Sequence, residues 1–405
     1  MPPVTIEDIR AAHRRIKGAV AYTPCPESIP LSEIAGARIY CKLDNLQRTG
    51  SFKERGARNA LLLLDPERRR RGVIAASAGN HALGLAYHGS LLDIPVTVVM
   101  PRFAPLIKMA TCQRLGARVV LEGETFQDAR ARADAFAAEH GYTYIHGYDD
   151  PAIIAGQGTM ALEILEQVPD VEAIVCPIGG AGLIAGIGVA VKALQPAVRL
   201  VGVEAIATAS FRAAMDAGHP VGITCGHTLA DGLAVSIVGK NAFELARTRV
   251  DRLVQVGEEH LALAILRIAE LEKLVVEGAG AAPLAAFLAG TLPELAGRKT
   301  VLLFCGGNID PTILSRVIEK GLVADGRLGR FSAIISDRPG GLAALAQVIA
   351  AAGASIKEVA HDRAFAGADV AAVRAVVTVE TRDRAHREEL WNQLEAAGFP
   401  IRDAD

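Results

Sequence analysis

The sequence predicts an α/β protein, with open and mostly parallel sheet followed by a small βαββαβ unit. Short runs rich in β-branched residues recur along the chain, at Val96 to Val99, Arg118 to Leu121, Ala173 to Cys176 and Val301 to Phe304. Their near-continuous apolarity suits parallel strands covered on both faces. Ala-rich amphipathic segments such as Thr125 to His140 and Ile153 to Gln167 lie between them, and this alternation builds an open sheet with helices on its faces. At 405 residues the chain is too long for one ordinary core. We therefore expect a catalytic-sized region over residues 1–325, in two lobes with the smaller at roughly 50–150, and a separate unit over 330–405.

Composition narrows the function classes. The chain is 51% hydrophobic and 22% charged, the balance of a folded globular protein. A net charge of -2 gives no bulk attraction to nucleic acid or to an anionic membrane. The dense basic run Arg68 to Arg71 reads as a solvated helix end. The six cysteines form no C-x-x-C pair, so neither a zinc knuckle nor a redox dithiol is indicated, and reduced thiols in a cytosol are expected. Early acidic residues and the lack of a long uncharged apolar run argue against a signal peptide and a membrane span. The expected location is cytoplasmic.

In such sheets ligands sit at the carboxyl ends of strands, so loops that directly follow strands are the candidates. In Thr49-Gly50-Ser51-Phe52-Lys53, Ser51 reads as a helix N-cap and Lys53 as a first-turn residue. The positive end of a helix disfavours an ammonium and makes the amine more nucleophilic. The bland reading is a surface lysine at a helix start. Ser77-Ala78-Gly79-Asn80-His81 follows a short strand at Gly72 to Ala75. Its small residues let backbone N–H groups approach an anion, for which an amino-acid carboxylate is the candidate. An ordinary turn capped by Asn80 is the alternative.

Gly179-Gly180-Ala181-Gly182-Leu183 follows the strand at Ala173 to Cys176 and can cradle a phosphate on its backbone. Gly180, Gly182 and Ala185 also match a loose dinucleotide fingerprint, with Glu204 where a ribose-binding acid would sit. An NAD-dependent oxidoreductase is thus a reading from another class. It is weakened because that fingerprint normally opens the first βαβ unit. Cys305 ends a buried strand. It is either a small hydrophobe or a thiol facing a ligand.

Thr49 to Lys53 with Arg55-Gly56-Ala57 resembles the Schiff-base lysine motif of the serine and threonine dehydratases. These are pyridoxal-phosphate (PLP) enzymes of the tryptophan-synthase-β-like fold type II. The resemblance runs from roughly Thr23 to Leu314 and takes in Ser77 to His81, Gly179 to Leu183 and Leu302 to Asp310 in the family's order. Asp149 to Thr159, Ala230 to Ala234 and Val276 to Ala282 also match family blocks. The resemblance implies that Lys53 carries PLP beside Phe52 and later takes the Cα proton. It implies that Asn80 binds the 3′-oxygen of the ring, that Ser77, Ala78, Gly79, Asn80 and His81 hold the substrate, and that Gly179, Gly180, Ala181, Gly182 and Leu183 hold the phosphate. Cys305 would face the pyridine nitrogen. Glu277 would touch the cofactor or orient a loop, with a purely structural role the equal alternative.

This chain departs from the pattern in places. Leu83 replaces a glutamine. Ala181 replaces a glycine, so φ < 0 is expected there. The implied reaction is dehydration and deamination of L-threonine to 2-oxobutanoate, with L-serine giving pyruvate. Serine racemases of this fold carry a serine where this chain has Ala78, and an aspartate of their divalent site where it has Ser210, although Glu204 matches. Such a carboxylate-poor site suits a monovalent cation or none.

Gly321 to Arg330, with three glycines, reads as a linker. Beyond it the expected order is strand Phe331 to Ser336, helix Leu342 to Ala352, strands Ser355 to His361 and Ala371 to Glu380, helix Arg384 to Ala397 and strand Pro400 to Arg402. That order is ferredoxin-like, and the unit resembles an ACT domain. The resemblance implies an amino-acid effector at the turn Asp337, Arg338, Pro339 and Gly340, and a homo-dimer or homo-tetramer. A non-catalytic amino-acid sensor would keep this unit and need no lysine chemistry, which the Lys53 loop argues against.

Overall fold

The structure is a computed structural model that describes residues 3–104, 106–362 and 371–403. Two compact units divide the chain, Met1–Pro311 and Thr312–Asp405. The boundary falls earlier than the sequence suggested because the helix Pro311–Ala324 contributes to the second unit.

The first unit holds two sheets. The larger has six strands in the order Glu27–Ser28, Arg38–Lys42, Lys299–Leu303, Ala173–Pro177, Arg199–Ala205 and Arg252–Val256. Only the first pairing is antiparallel. The smaller sheet is wholly parallel, in the order Arg118–Leu121, Val96–Met100, Val73–Ala76 and Thr143–Tyr144. Its central strands are buried throughout, as their β-branched composition predicts. Arg118–Leu121 is only partly buried, contrary to expectation, because it lies at the sheet edge.

Two predicted helices differ in kind. Phe126–His140 is a surface helix with a reciprocal capping box between Thr125 and Asp128. Pro151–Gln167 is buried along most of its length and is not amphipathic; Asp150 caps it and Pro151 opens it. It crosses two neighbours at glycine contacts. A Cβ on Gly156 would lie 2.6 Å from the Gly56 Cα in helix Lys53–Leu62, and one on Gly158 would lie 2.8 Å from the Gly186 carbonyl in helix Gly182–Leu194. The three helices approach backbone to backbone there, which no larger residue allows. The basic run ends the short helix Pro66–Arg71 in solvent, with Arg71 paired to Glu67 and Arg68 to Asp65.

The second unit carries strands Leu328–Ser336, Ser355–Asp362, Ala372–Glu380 and Ile401–Asp403, with helices Gly341–Ala351 and Arg384–Ala396. The sheet is antiparallel, with the first and third strands central, which is the ferredoxin-like arrangement. Its core is formed by Phe331, Ile335, Leu345, Ile349, Val377 and Leu390. The expected linker is much shorter than predicted. Gly321 is buried within the helix Pro311–Ala324, and Arg330 already lies in the first strand. Only Asp325 to Arg327 connect them, with Gly326 at φ 74°.

Candidate active site

Five parallel strands end at one cavity of about 1200 Å³. Arg38–Lys42 leads to the lysine loop, Lys299–Leu303 to Cys305 and Ala173–Pro177 to the glycine loop. From the small lobe, Val73–Ala76 leads to Ser77 and Thr143–Tyr144 to His146. All the residues nominated from sequence for this site, Phe52, Lys53, Ser77 to His81, Gly179 to Leu183 and Cys305, line that space.

Lys53 opens the helix Lys53–Leu62, but Ser51 does not cap it. Ser51 instead forms an isolated bridge with Gly306, and Phe52 N–H donates to the Cys305 carbonyl at 2.9 Å. The N-cap position falls on Phe52, and Glu54 reaches back to accept from the Thr49 N–H. The half-buried Lys53 donates from Nζ to the Gly147 carbonyl at 2.7 Å, with the amine 5.1 Å from the Phe52 ring centroid. Burial pushes its pKa down to about 8, while Cys305 and Glu277 pull the other way. Loss of hydration is thus the main source of its reactivity, where the sequence had suggested the helix end.

His81 is buried and bonds the Ile145 carbonyl at 3.0 Å, so its Nε2 carries the proton. Burial pushes it down to about 3, with the Lys53 charge adding. Burial takes His146 down to about 4, with the Arg130 charge next. Two neutral imidazoles therefore stand near the amine. Leu83, where the dehydratase pattern has glutamine, is buried in the small-lobe core.

The glycine loop precedes the helix Gly182–Leu194, whose N-terminal N–H groups are unpaired within the helix. Tyr148 explains the glycines. A Cβ on Gly180 would fall 2.2 Å from its ring, and one on Gly182 would fall 2.3 Å from its carbonyl oxygen. Ala181 contradicts the expected φ < 0: it sits at φ 69°, ψ -2° as the N-cap. The turn into the helix requires the left-handed region whichever residue occupies it, at a cost of roughly 1–3 kcal/mol for a side chain with a Cβ.

Cys305 is buried, and burial raises its pKa well above the ordinary thiol value, with Glu277 adding. It is a neutral thiol at physiological pH. The dinucleotide reading loses its acid. Glu204 is wholly buried, and its carboxylate accepts from the N–H groups of Phe211 and Arg212 at 2.7 and 2.9 Å. Among the described residues no group of three His, Cys, Asp or Glu could hold a metal ion.

The sequence profile of the family described as "Pyridoxal-phosphate dependent enzyme" matches residues 16–306. The chain belongs to that family. An L-threonine ammonia-lyase of Thermotoga maritima is 43% identical over 399 residues, 98% of this chain and 99% of the relative. Threonine deaminase isoform 2 of Solanum lycopersicum superposes with a TM-score of 0.74 at 34% identity, over 79% of this chain and 95% of that one. Maize serine racemase superposes at 0.75 with 31% identity, over 80% and 99%.

The residues present fit the family's cofactor. The Gly179 to Gly182 cradle would be filled by side chains at two positions, a low-pKa amine stands in the same cavity, and a neutral thiol closes its floor. Sequence reading missed His146 and Tyr148, which line the cavity. His146 and Tyr148 follow a strand of only two residues, Thr143–Tyr144, too short for the apolar pattern to reveal. In the protein without PLP, amine-directed acylation of Lys53 is expected to rise through pH about 8, since the free amine forms above the lowered pKa. A labelling midpoint near that of ordinary lysines, about 10.4, would contradict this.

Proposed function

We propose that the chain is an L-threonine ammonia-lyase that forms 2-oxobutanoate and ammonia from L-threonine, and pyruvate and ammonia from L-serine. The observation that carries this reading is the Lys53 amine, held with a pKa of about 8 in a cavity shared by the Ser77 to His81 and Gly179 to Leu183 loops. The near full-length likeness to a threonine ammonia-lyase supports it.

PLP supplies, when bound, an electron sink for the charge left at the substrate Cα. Lys53 would hold the cofactor, and its free amine is the group that would accept the Cα proton. Its lowered pKa leaves the amine uncharged at mildly alkaline pH. Backbone N–H groups at the start of helix Asn80–Leu91, with Ser77, Ala78, Gly79 and His81 around them, hold the substrate carboxylate. Those of Gly179 to Leu183 would hold the phosphate. Asn80 would donate to the 3′-oxygen of the ring. Cys305 would stand toward the ring nitrogen as a neutral thiol, which would not hold that nitrogen protonated as a carboxylate would. The unsaturated amine that leaves hydrolyses to the 2-oxo acid and ammonia, regaining the water lost earlier. The likeness to a serine racemase does not reach this point of chemistry: the Ala78 methyl lining the cavity has no proton to deliver.

The ferredoxin-like unit is read as an ACT-type regulatory module. Asp337 to Gly340 form its first strand-to-helix turn, with Gly340 at φ 100°, and would take an amino-acid effector. A homo-dimer or homo-tetramer in the cytoplasm completes the proposal; no helix among the described residues is long and apolar enough to cross a membrane. Thr208 and Ser210, close in the chain to Glu204, bear buried hydroxyls without hydrogen-bond partners among the described residues.

Lys53→Ala is expected to lose the visible absorbance of bound cofactor and nearly all 2-oxobutanoate production from L-threonine. Substantial turnover by this variant would sink the lysine assignment. Deleting residues 331 to 405 is expected to change oligomer size and abolish any response to added amino acids; a truncated enzyme unchanged in both would refute the regulatory reading.

A further inference from the structure

Asn80 lies at the cavity edge of helix Asn80–Leu91 with its amide held from two sides. The Thr49 carbonyl can only accept, and Asn308 Nδ2 donates to it at 2.6 Å. The same Nδ2 donates to Asn80 Oδ1 at 2.8 Å. The other end of the Asn80 amide must then be its NH2, and Nδ2 donates to Glu277 Oε1 at 2.7 Å. Thr49, Asn308, Asn80 and Glu277 form one directed chain, so the amide cannot flip without breaking two bonds. One Asn80 N–H remains for an acceptor in the cavity.

Glu277 is built into this place. It is 4% exposed and lines the cavity. Its N–H donates to the Gly306 carbonyl at 3.0 Å. A Cβ on Gly306 would stand 2.3 Å from Oε1, so only glycine admits the carboxylate there. Burial raises its pKa to about 7, and Asp231 adds to this; the Asn80 N–H, Lys108 and Lys53 oppose it. The neutral Cys305 thiol also faces it.

We propose that Glu277 is a positioning residue that acts through Asn80, fixing the amide so that its second N–H is aimed at the ring oxygen of the cofactor. The inference rests on the PLP reading of the site. Asn308 sets the acceptor end of Asn80, and Glu277 sets the donor end. A carboxylate is suited to the second task because it accepts only, whereas a neutral amide at 277 could present either end.

The test uses 4-deoxypyridoxine 5′-phosphate, which has the ring, the 3′-oxygen and the phosphate but no aldehyde, so Lys53 cannot bind it covalently. Its dissociation constant for the full-length protein freed of PLP is measured by equilibrium dialysis at pH 8, where Glu277 is ionised. The expected losses are about tenfold for Glu277→Ala and smaller for Glu277→Gln. Neither substitution should weaken binding further when Asn80→Ala is already present, because the effect passes through Asn80. If Glu277→Ala fails to fold, as judged by circular dichroism, the Glu277→Gln cycle gives the same decision. Losses that add in the double variants, or no loss in either single variant, would overturn the proposal. Failure of the unsubstituted protein to bind the probe would overturn the PLP reading as well.

Discussion

Arg55, two residues beyond the lysine, is wholly buried and holds the site's framework together. Its guanidinium reaches Asp44 at 2.7 and 2.9 Å and Glu163 at 2.5 and 2.9 Å. Lys42 closes the set on Glu163 at 2.7 Å, and Thr23 donates to Asp44 at 2.6 Å. Two cations and two carboxylates are thus removed from water together, in a group with no net charge. Removing one member of such a set leaves an uncompensated buried charge, at a cost of roughly 3–5 kcal/mol. The network joins strand Arg38–Lys42, helix Lys53–Leu62 and helix Pro151–Gln167. It therefore sets where the lysine helix begins relative to the sheet and to the helix that follows the small lobe.

The chemistry of the cavity follows from that placement. An amine confined among Phe52, the Gly147 carbonyl and two neutral imidazoles has lost most of its hydration, and this lowers its pKa. The floor is a thiol that burial keeps protonated, and the walls are backbone N–H groups at two helix starts. Tyr148 serves both sides of the cavity: it follows the carbonyl that holds Lys53, and its ring and its carbonyl oxygen require Gly180 and Gly182 in the opposite loop.

Much of this was legible in the sequence because the loops that carry it follow long apolar strands. Position left Lys53, Asn80, the Gly179 to Gly182 cradle and Cys305 each with a bland alternative, and the dehydratase resemblance singled them out; each lines the cavity. The ferredoxin-like order was legible to within a residue at each end except the start of the first strand, which begins three residues earlier at Leu328; the central strands alternate cleanly and the helices are bounded by glycine or aspartate turns. The failures have physical causes. Ser51 has the composition of a cap but is drawn into a bridge by Gly306. Ala181 is forced into positive φ by the helix it precedes. Gly321 looked like a linker residue, yet it is buried within the helix Pro311–Ala324. Glu204 sat at the right spacing for a ribose and turned out to cap a helix. Spacing reports where a residue falls, whereas partner atoms decide what it is free to do.

The central claim is that PLP is carried by Lys53, and the most direct measurement is its covalent position. Protein loaded with PLP is reduced with borohydride, digested, and the pyridoxyl group located by mass spectrometry. The account predicts a single modified site at Lys53. Modification of another lysine in its place, or none at all, would contradict it.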